Sequence, residues 1–244
     1  FVSGGAYNPT TGCVIFVTNS GTTFEVCGFL TGATGTAEVV WTGGSAGNNS
    51  VKQITDTTTD ATADYAVAIN RNTLASGFAS FAGGRNAVAA GSYSIAYGVG
   101  ASATTTSSHA FGQTTLASGG SSFAIGTSTV ASDTNTFAMG SQTTASGGNS
   151  YAGGGESIAS GQSSFSHGFR TSGTSINSTA FGTDTLASGG GSFAFGQGTT
   201  ASGTYSTASG YFSTASGYGS TASGGYTVSS GGYSTASGYG STAS

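Results

Sequence analysis

With 45 glycines, one proline and 5% charged side chains in 244 residues, this chain departs from ordinary globular domains, where about a quarter of residues carry charge. A hydrophobic content of 36% and a net charge of −4 argue against a disordered chain, which is typically poor in hydrophobic residues and rich in net charge. Four basic residues and a pI near 4.7 disfavour nucleic acid as a partner, glycine does not recur at every third residue as in collagen, and it interrupts every long run a helix would need.

The first predicted element is a hairpin. Cys13 to Thr18 and Thr22 to Gly28 flank Asn19-Ser20-Gly21, a three-residue loop whose glycine supplies a positive φ. In that register Val14 pairs with Val26 and Phe16 with Phe24, giving one apolar face, and Cys13 sits opposite Cys27. The two cysteines are a candidate disulfide or a pair of buried thiols. Without a CxxC or a nearby histidine, metal ligation is disfavoured. The stretch Ser3-Gly4-Gly5-Ala6-Tyr7 through Thr11-Gly12, followed by this hairpin, resembles small β modules of phage tail fibres. Residues 1–30 are accordingly read as an N-terminal β-hairpin module. Residues 31–60 form a Thr- and Gly-rich connecting segment with one short apolar piece, Val39-Val40-Trp41, and Val51 to Ile54 lead into the next element.

From residue 61 onward the chain is one repeated unit. Thirteen blocks of fourteen residues cover 61–242 without an insertion or deletion. Counting Ala61 as position 1, position 8 is alanine in twelve blocks, with Ser166 the exception, and position 10 is glycine in twelve, with Asn70 the exception. Position 1 is alanine and position 6 serine in eleven blocks each. Ala-Ser-Gly at positions 1 to 3 echoes Ala-x-Gly at positions 8 to 10, so each block reads as two short segments closed by glycine turns. Serine, threonine and aromatic content suits pleated strands. The predicted fold is all-β, a parallel β-roll or β-solenoid of 14-residue coils spanning 61–244.

Half a block gives a rung only about 17 Å wide, so two facing rungs enclose little volume. Alanine at positions 1 and 8 is what fits between them. Strand residues alternate in direction, so positions 7 and 9 then point away from the coil interior. These positions are apolar: Phe81, Ile95, Tyr97, Phe111, Phe123, Ile125, Phe137, Met139, Phe165, Phe181, Phe193 and Phe195 form one stripe along a rod about 60 Å long. A stripe of that length exceeds what a soluble monomer exposes, which predicts self-association through these residues. The competing arrangement is a wider monomeric solenoid with positions 7 and 9 inside and alanine outside.

The blocks Ser-Phe-Ala-Ile-Gly (122–126), Ser-Phe-Ala-Phe-Gly (192–196) and Ser-Ile-Ala-Tyr-Gly (94–98), alternating with Ala-Ser-Gly, resemble the head repeats of trimeric autotransporter adhesins. Similar repeats occur in bacteriophage tail fibres and other viral fibres. The resemblance implies a left-handed parallel β-roll in which each repeat is one coil, and a homotrimer about a common axis.

Chemistry-bearing residues are sparse. Asp64, Asp133, Glu156, Asp184, Arg71, Arg85 and Arg170 are spread over different coils or around the rung, residues 185–244 carry no charge, and Lys52 does not lie in a phosphate-loop pattern. No catalytic constellation and no cofactor are expected. His109 at position 7 and His167 at position 9 fall on the apolar face; three copies converging on an axis are candidate metal or anion ligands, or imidazoles simply packed among their neighbours. In the last three blocks positions 7 and 9 become Thr207, Thr221, Thr235 and Ser209, Ser223, Ser237, while Tyr205, Tyr211, Tyr218, Tyr226, Tyr233 and Tyr239 gather at positions 4, 5, 11 and 12, beside the turns. Uncharged rows of tyrosine suit stacking on sugar rings; they equally suit ladders between coils or a broader chain interface. The Thr-Ala-Ser ladders at 200–202, 207–209, 214–216 and 221–223 admit a further reading as an ice-binding face.

The sequence thus predicts a non-enzymatic, homotrimeric attachment fibre, displayed on a virion or a cell surface and contacting a host-surface glycan or protein. A phage or viral tail fibre is the first expectation and the head of a bacterial trimeric adhesin the alternative. No transmembrane run or signal peptide is visible. Because the chain starts at Phe1 and stops inside a repeat at Ser244, it is expected to belong to a longer polypeptide, with a virion attachment or membrane anchor in flanking segments.

Overall fold

The computed structural model describes residues 2–8, 13–18, 23–26, 41–43, 50–53 and 59–244. The chain divides into two compact units, residues 1–40 and 41–244. In the first, β1 (Val2–Asn8), β2 (Cys13–Thr18) and β3 (Thr23–Val26) form an antiparallel sheet in the order β1-β2-β3. Val14 pairs with Val26 and Phe16 with Phe24, the register expected of the hairpin. The Ser3 to Tyr7 stretch lies within β1, and the ladder shifts register between Val2 and Gly4. Cys27 lies outside the described residues, so the pairing of Cys13 with Cys27 does too.

The second unit is a parallel β-solenoid. Each coil contributes a five-residue strand at positions 7 to 11, such as Phe123–Thr127, and a two-residue strand at positions 14 and 1, such as Val130–Ala131. The long strands stack in register into one sheet and the short strands into a second, every residue pairing with the one fourteen positions on, as in Ala124 with Ala138. At the amino-terminal edge, β4 (Trp41–Gly43) pairs antiparallel with β5 (Val51–Gln53), and β5 pairs parallel with the first long strand, placing Val51 opposite Val67. An ion pair of 3.3 Å between Lys52 and Asp60 ties this leading strand to the first short one.

Inside the coil, positions 1, 6, 8 and 13 face one another. Ala110, Ala117, Ala124 and Ala131 are fully buried, and so are Ser122 and Thr129. The interior is therefore a column of methyl and hydroxyl groups, as narrow as the rung width requires. Alanine inside excludes the wider solenoid with positions 7 and 9 at its centre.

Three residues of every coil have positive φ, at positions 5, 10 and 12. At the two corners this turns the N–H along the stack: Tyr93 donates to the Phe78 carbonyl at 2.7 Å and Asn86 to the Arg71 carbonyl at 3.0 Å, fifteen residues back. The left-handed conformation thus keeps the backbone hydrogen-bonded around the whole coil. The glycines at positions 3 and 10 answer a different demand. A Cβ at Gly98, where φ is +139°, would lie 1.9 Å from the Gly112 carbonyl oxygen of the next coil, and one at Gly91 would lie 1.8 Å from that of Thr105.

Candidate functional site

The long-strand sheet carries two parallel rows of outward side chains. At position 7, Phe123, Phe137, Tyr151 and Phe165 stack nearly parallel, with centroids 5.1, 5.4 and 4.8 Å apart. At position 9, His167, Phe181 and Phe195 continue at 5.6 and 5.5 Å. In-register stacking is a direct result of the exact fourteen-residue period, because each ring meets the same position of the next coil. Where position 9 is glycine, neighbouring rings lean over it. A Cβ on Gly83 would come within 2.7 Å of the Tyr97 ring, and one on Gly153 within 2.5 Å of His167 Nδ1.

All twelve apolar residues expected on one stripe lie on this face and all keep solvent contact in the single chain; Phe195 is 46% exposed and Phe193 41%. After Phe195 the face changes character. Thr207 to Ser237 replace the rings, and Ser209 bonds Ser223 across adjacent coils at 3.2 Å.

His109 and His167 sit in different coils of this face. His109 tilts against Phe123 at 6.1 Å. His167 lies among Tyr151, Phe165 and Phe181, and its Nδ1 is buried without a hydrogen-bond partner among the described residues. No group of three or more metal-ligating side chains occurs among the described residues.

The six carboxy-terminal tyrosines occupy the two corners that flank the long strand. At the corner before it, Tyr205, Tyr218 and Tyr233 meet edge to face at 5.7 and 5.4 Å. At the corner after it, Tyr211 packs edge to face on Tyr226 at 5.3 Å, Phe212 stacks on Tyr226 at 5.8 Å, and Tyr226 meets Tyr239 at 5.6 Å. Neighbouring phenols raise the pKa of Tyr218 and Tyr226. For Tyr218 the charge of Tyr233 is the main cause, and for Tyr226 it is the hydrogen bond with Tyr211. Exposure is high, reaching 78% at Tyr233 and 81% at Tyr239.

Three features of the surface were not anticipated. The first coils carry the same edge-to-face trio as the last, Tyr65, Phe78 and Tyr93, at 5.5 Å per step. Position 14 of the short-strand sheet forms a second outward apolar row, with Leu74, Val88, Leu116, Val130, Ile158 and Leu186 partly or largely exposed. A two-residue strand presents only one such side chain per coil, so no alternation marks it in the sequence. The coil stack also joins charges separated by fourteen residues. Arg170 and Asp184 form a two-point pair of 2.7 and 2.8 Å, with the guanidinium also 4.9 Å from the Phe169 ring centre, while Arg71 and Arg85 stand directly opposite each other beside a cleft they line with Asn72 and Asn86.

Among the described residues no helix is long and apolar enough to cross a membrane. Residues 117–143, 174–199 and 201–227, roughly a third of the chain, match the family model of the YadA head domain repeat (2 copies). No curated protein matches the chain. The match and the parallel solenoid both support the resemblance to trimeric autotransporter adhesin heads.

Proposed function

We propose that the solenoid is the head of a homotrimeric surface adhesin, three copies packing their long-strand faces about a shared axis. The observation that carries this is the stacked aromatic face itself. It runs from the first coils to Phe195, its members point out of a coil whose own interior is already filled by alanine, and a single chain leaves it in water. Burying such a row between copies returns the hydrophobic free energy that a four-residue coil interior cannot supply. The match to the YadA head repeat supports an adhesin head on a cell surface rather than a phage tail fibre.

In this reading the protein has no catalytic task. The coils set a rigid spacing, and attachment to a host-surface glycan or protein belongs to the outward short-strand sheet. Light scattering on the full chain tests the assembly: a mass of three chains is expected, and a monodisperse monomer would remove the proposal. Axial histidines make a separate check, since anomalous diffraction from crystals soaked in zinc would show density on the axis at His167 only if three imidazoles converge there.

A further inference from the structure

The edges of the long-strand sheet are aromatic where its face is weak. In the last three coils position 7 is threonine and position 9 serine, and there both corners fill with rings. In the first three coils the face holds Val67, Ile69, Phe81, Gly83, Ile95 and Tyr97, and there the leading corner carries the Tyr65, Phe78, Tyr93 trio. In the coils of Phe123 and Phe137, whose rings stack, the corners are Gly, Ser, Thr, Asn and Gln, and between there and the last coils Phe169, beside Arg170, is the one corner ring.

These rings are held against local preference. Tyr65, Tyr93, Tyr205, Tyr233, Phe212 and Tyr226 have φ between +50° and +59°, a region that bulky side chains seldom occupy. Serine or asparagine fills the same sites in other coils, so the backbone does not ask for an aromatic. Something at the corners does.

If three copies face a common axis, rotation by a third of a turn places the end of each long strand beside the start of the next. Strands about 17 Å wide closing such a triangle put its centre roughly 5 Å from each side, the reach of one phenylalanine, so the corners are brought together. Resting on the trimeric reading above, we infer that the corners form head-to-tail seams between protomers, with Arg71 and Arg85 of one copy docking on the Tyr65, Phe78, Tyr93 trio of the next, and the Tyr211, Phe212, Tyr226, Tyr239 cluster docking on Tyr205, Tyr218 and Tyr233. The occupant of each aromatic corner is a second copy of this chain.

Charge complementarity supports the amino-terminal seam. Arg71 and Arg85 are in register on adjacent coils, a like-charge apposition that is unfavourable by itself, and neither has a carboxylate within ion-pair distance among the described residues. The opposite corner of the same coils offers the ring faces and edges of Tyr65, Phe78 and Tyr93. Guanidinium over aromatic rings is a favourable pairing, and the cleft bounded by the two arginines and Asn72 and Asn86 is where the next copy's rings would enter. At the carboxy-terminal seam, where no charge is present, ring packs on ring.

Site-specific photocrosslinking on the full chain tests the seam. Benzoylphenylalanine is placed at Phe78, at Tyr218 and, as a control on the short-strand sheet, at Leu116, with the mass in solution measured first. The expected result is a trimer in which Phe78 captures the 70–87 segment and Tyr218 the 210–227 segment of another chain, read by mass spectrometry on mixed light and heavy isotopic trimers, while Leu116 captures no chain. The double variant Arg71→Glu, Arg85→Glu should lower capture at Phe78 at least fivefold with the trimer mass unchanged. A trimer in which Phe78 and Tyr218 capture only their own chain, or in which Leu116 captures as well as they do, overturns the seam and leaves the tyrosines free for a glycan. A monomer overturns both the seam and the trimer it rests on.

Discussion

Ser166 bonds Thr171 inside the coil, oxygen to oxygen at 2.9 Å, and Thr171 in turn bonds Ser157 of the preceding coil at 2.8 Å. Ser166 is the one residue at position 8 that is not alanine, and the interior accommodates its extra oxygen by pairing it with the position 13 hydroxyl. A buried hydroxyl costs free energy only when it is left without a partner.

Replacing Ser166 by alanine restores the residue found at every other position 8, and Thr171 keeps Ser157. Chemical denaturation of Ser166→Ala should therefore move stability by no more than about 1 kcal/mol. Thr171→Val takes the partner from Ser166 and should cost about 1–3 kcal/mol. Equal effects for the two variants would show that the hydroxyl pair is not what positions Ser166.

Gly126, at position 10 in the middle of the stack, has no room for a side chain. Its φ is +127°, and a Cβ there would lie 1.9 Å from the Gly140 carbonyl oxygen, so Gly126→Ala meets both a strained backbone and the next coil. The stack transmits stability only through neighbours, so one broken coil uncouples the two halves of the rod. We expect a loss of about 4 kcal/mol or more, and hydrogen exchange quickening on both sides of residue 126. Alanine at Gly120, where a Cβ meets nothing within 4 Å, should be nearly silent by the same measurements.

How far the sequence foretells this molecule depends on whether a property repeats. Ala68 through Ala236 repeat, and from their size alone the coil interior and the outward direction of Phe123 and Phe137 follow. Glycine at positions 3 and 10 repeats as well, but its spacing does not separate the two causes, carbonyl contact at Gly91 and contact with positive φ at Gly98. The left-handed corners at positions 5 and 12 escaped notice because Asn, Ser, Tyr and Arg all occupy them. Arg170 and Asp184 looked remote because fourteen residues separate them in sequence, although one coil separates them in space. The tyrosine corners were located correctly beside the turns; that Tyr205, Tyr218 and Tyr233 meet edge to face depends on the alternation between positions 5 and 4, which a list of residue types does not reveal.

The aromatic face predicts concentration-dependent stability. Phe137 lies between Phe123 and Tyr151 in the stack, so in the proposed trimer Phe137→Ser would remove a ring from the axial face of all three copies at once. A cost of about 3–5 kcal/mol per protomer is expected. The variant's melting temperature should rise with protein concentration, as mass action requires when association stabilises the fold. Thr207→Ser, on the same face beyond Phe195, should leave the melting temperature and its concentration dependence unchanged.

The tyrosine corners predict an alkaline limit. Tyr218 is held protonated above its ordinary pKa of 10.0 chiefly by the charge of Tyr233, and Tyr226 chiefly by its hydrogen bond with Tyr211. A folded-state pKa above the unfolded value means that, above pH 10, the unfolded chain loses these protons first. The stabilisation is fully present below pH 10.0 and declines as pH rises through that value toward the raised ones. Phenolate absorbance should therefore show a late-titrating component that Tyr233→Phe shifts down for Tyr218 and Tyr211→Phe shifts down for Tyr226. Melting curves should lose height above pH 10 in the native chain and lose less of it in the double Tyr218→Phe, Tyr226→Phe variant. If native and double variant decline together from neutral pH, the tyrosine corners do not set the alkaline limit.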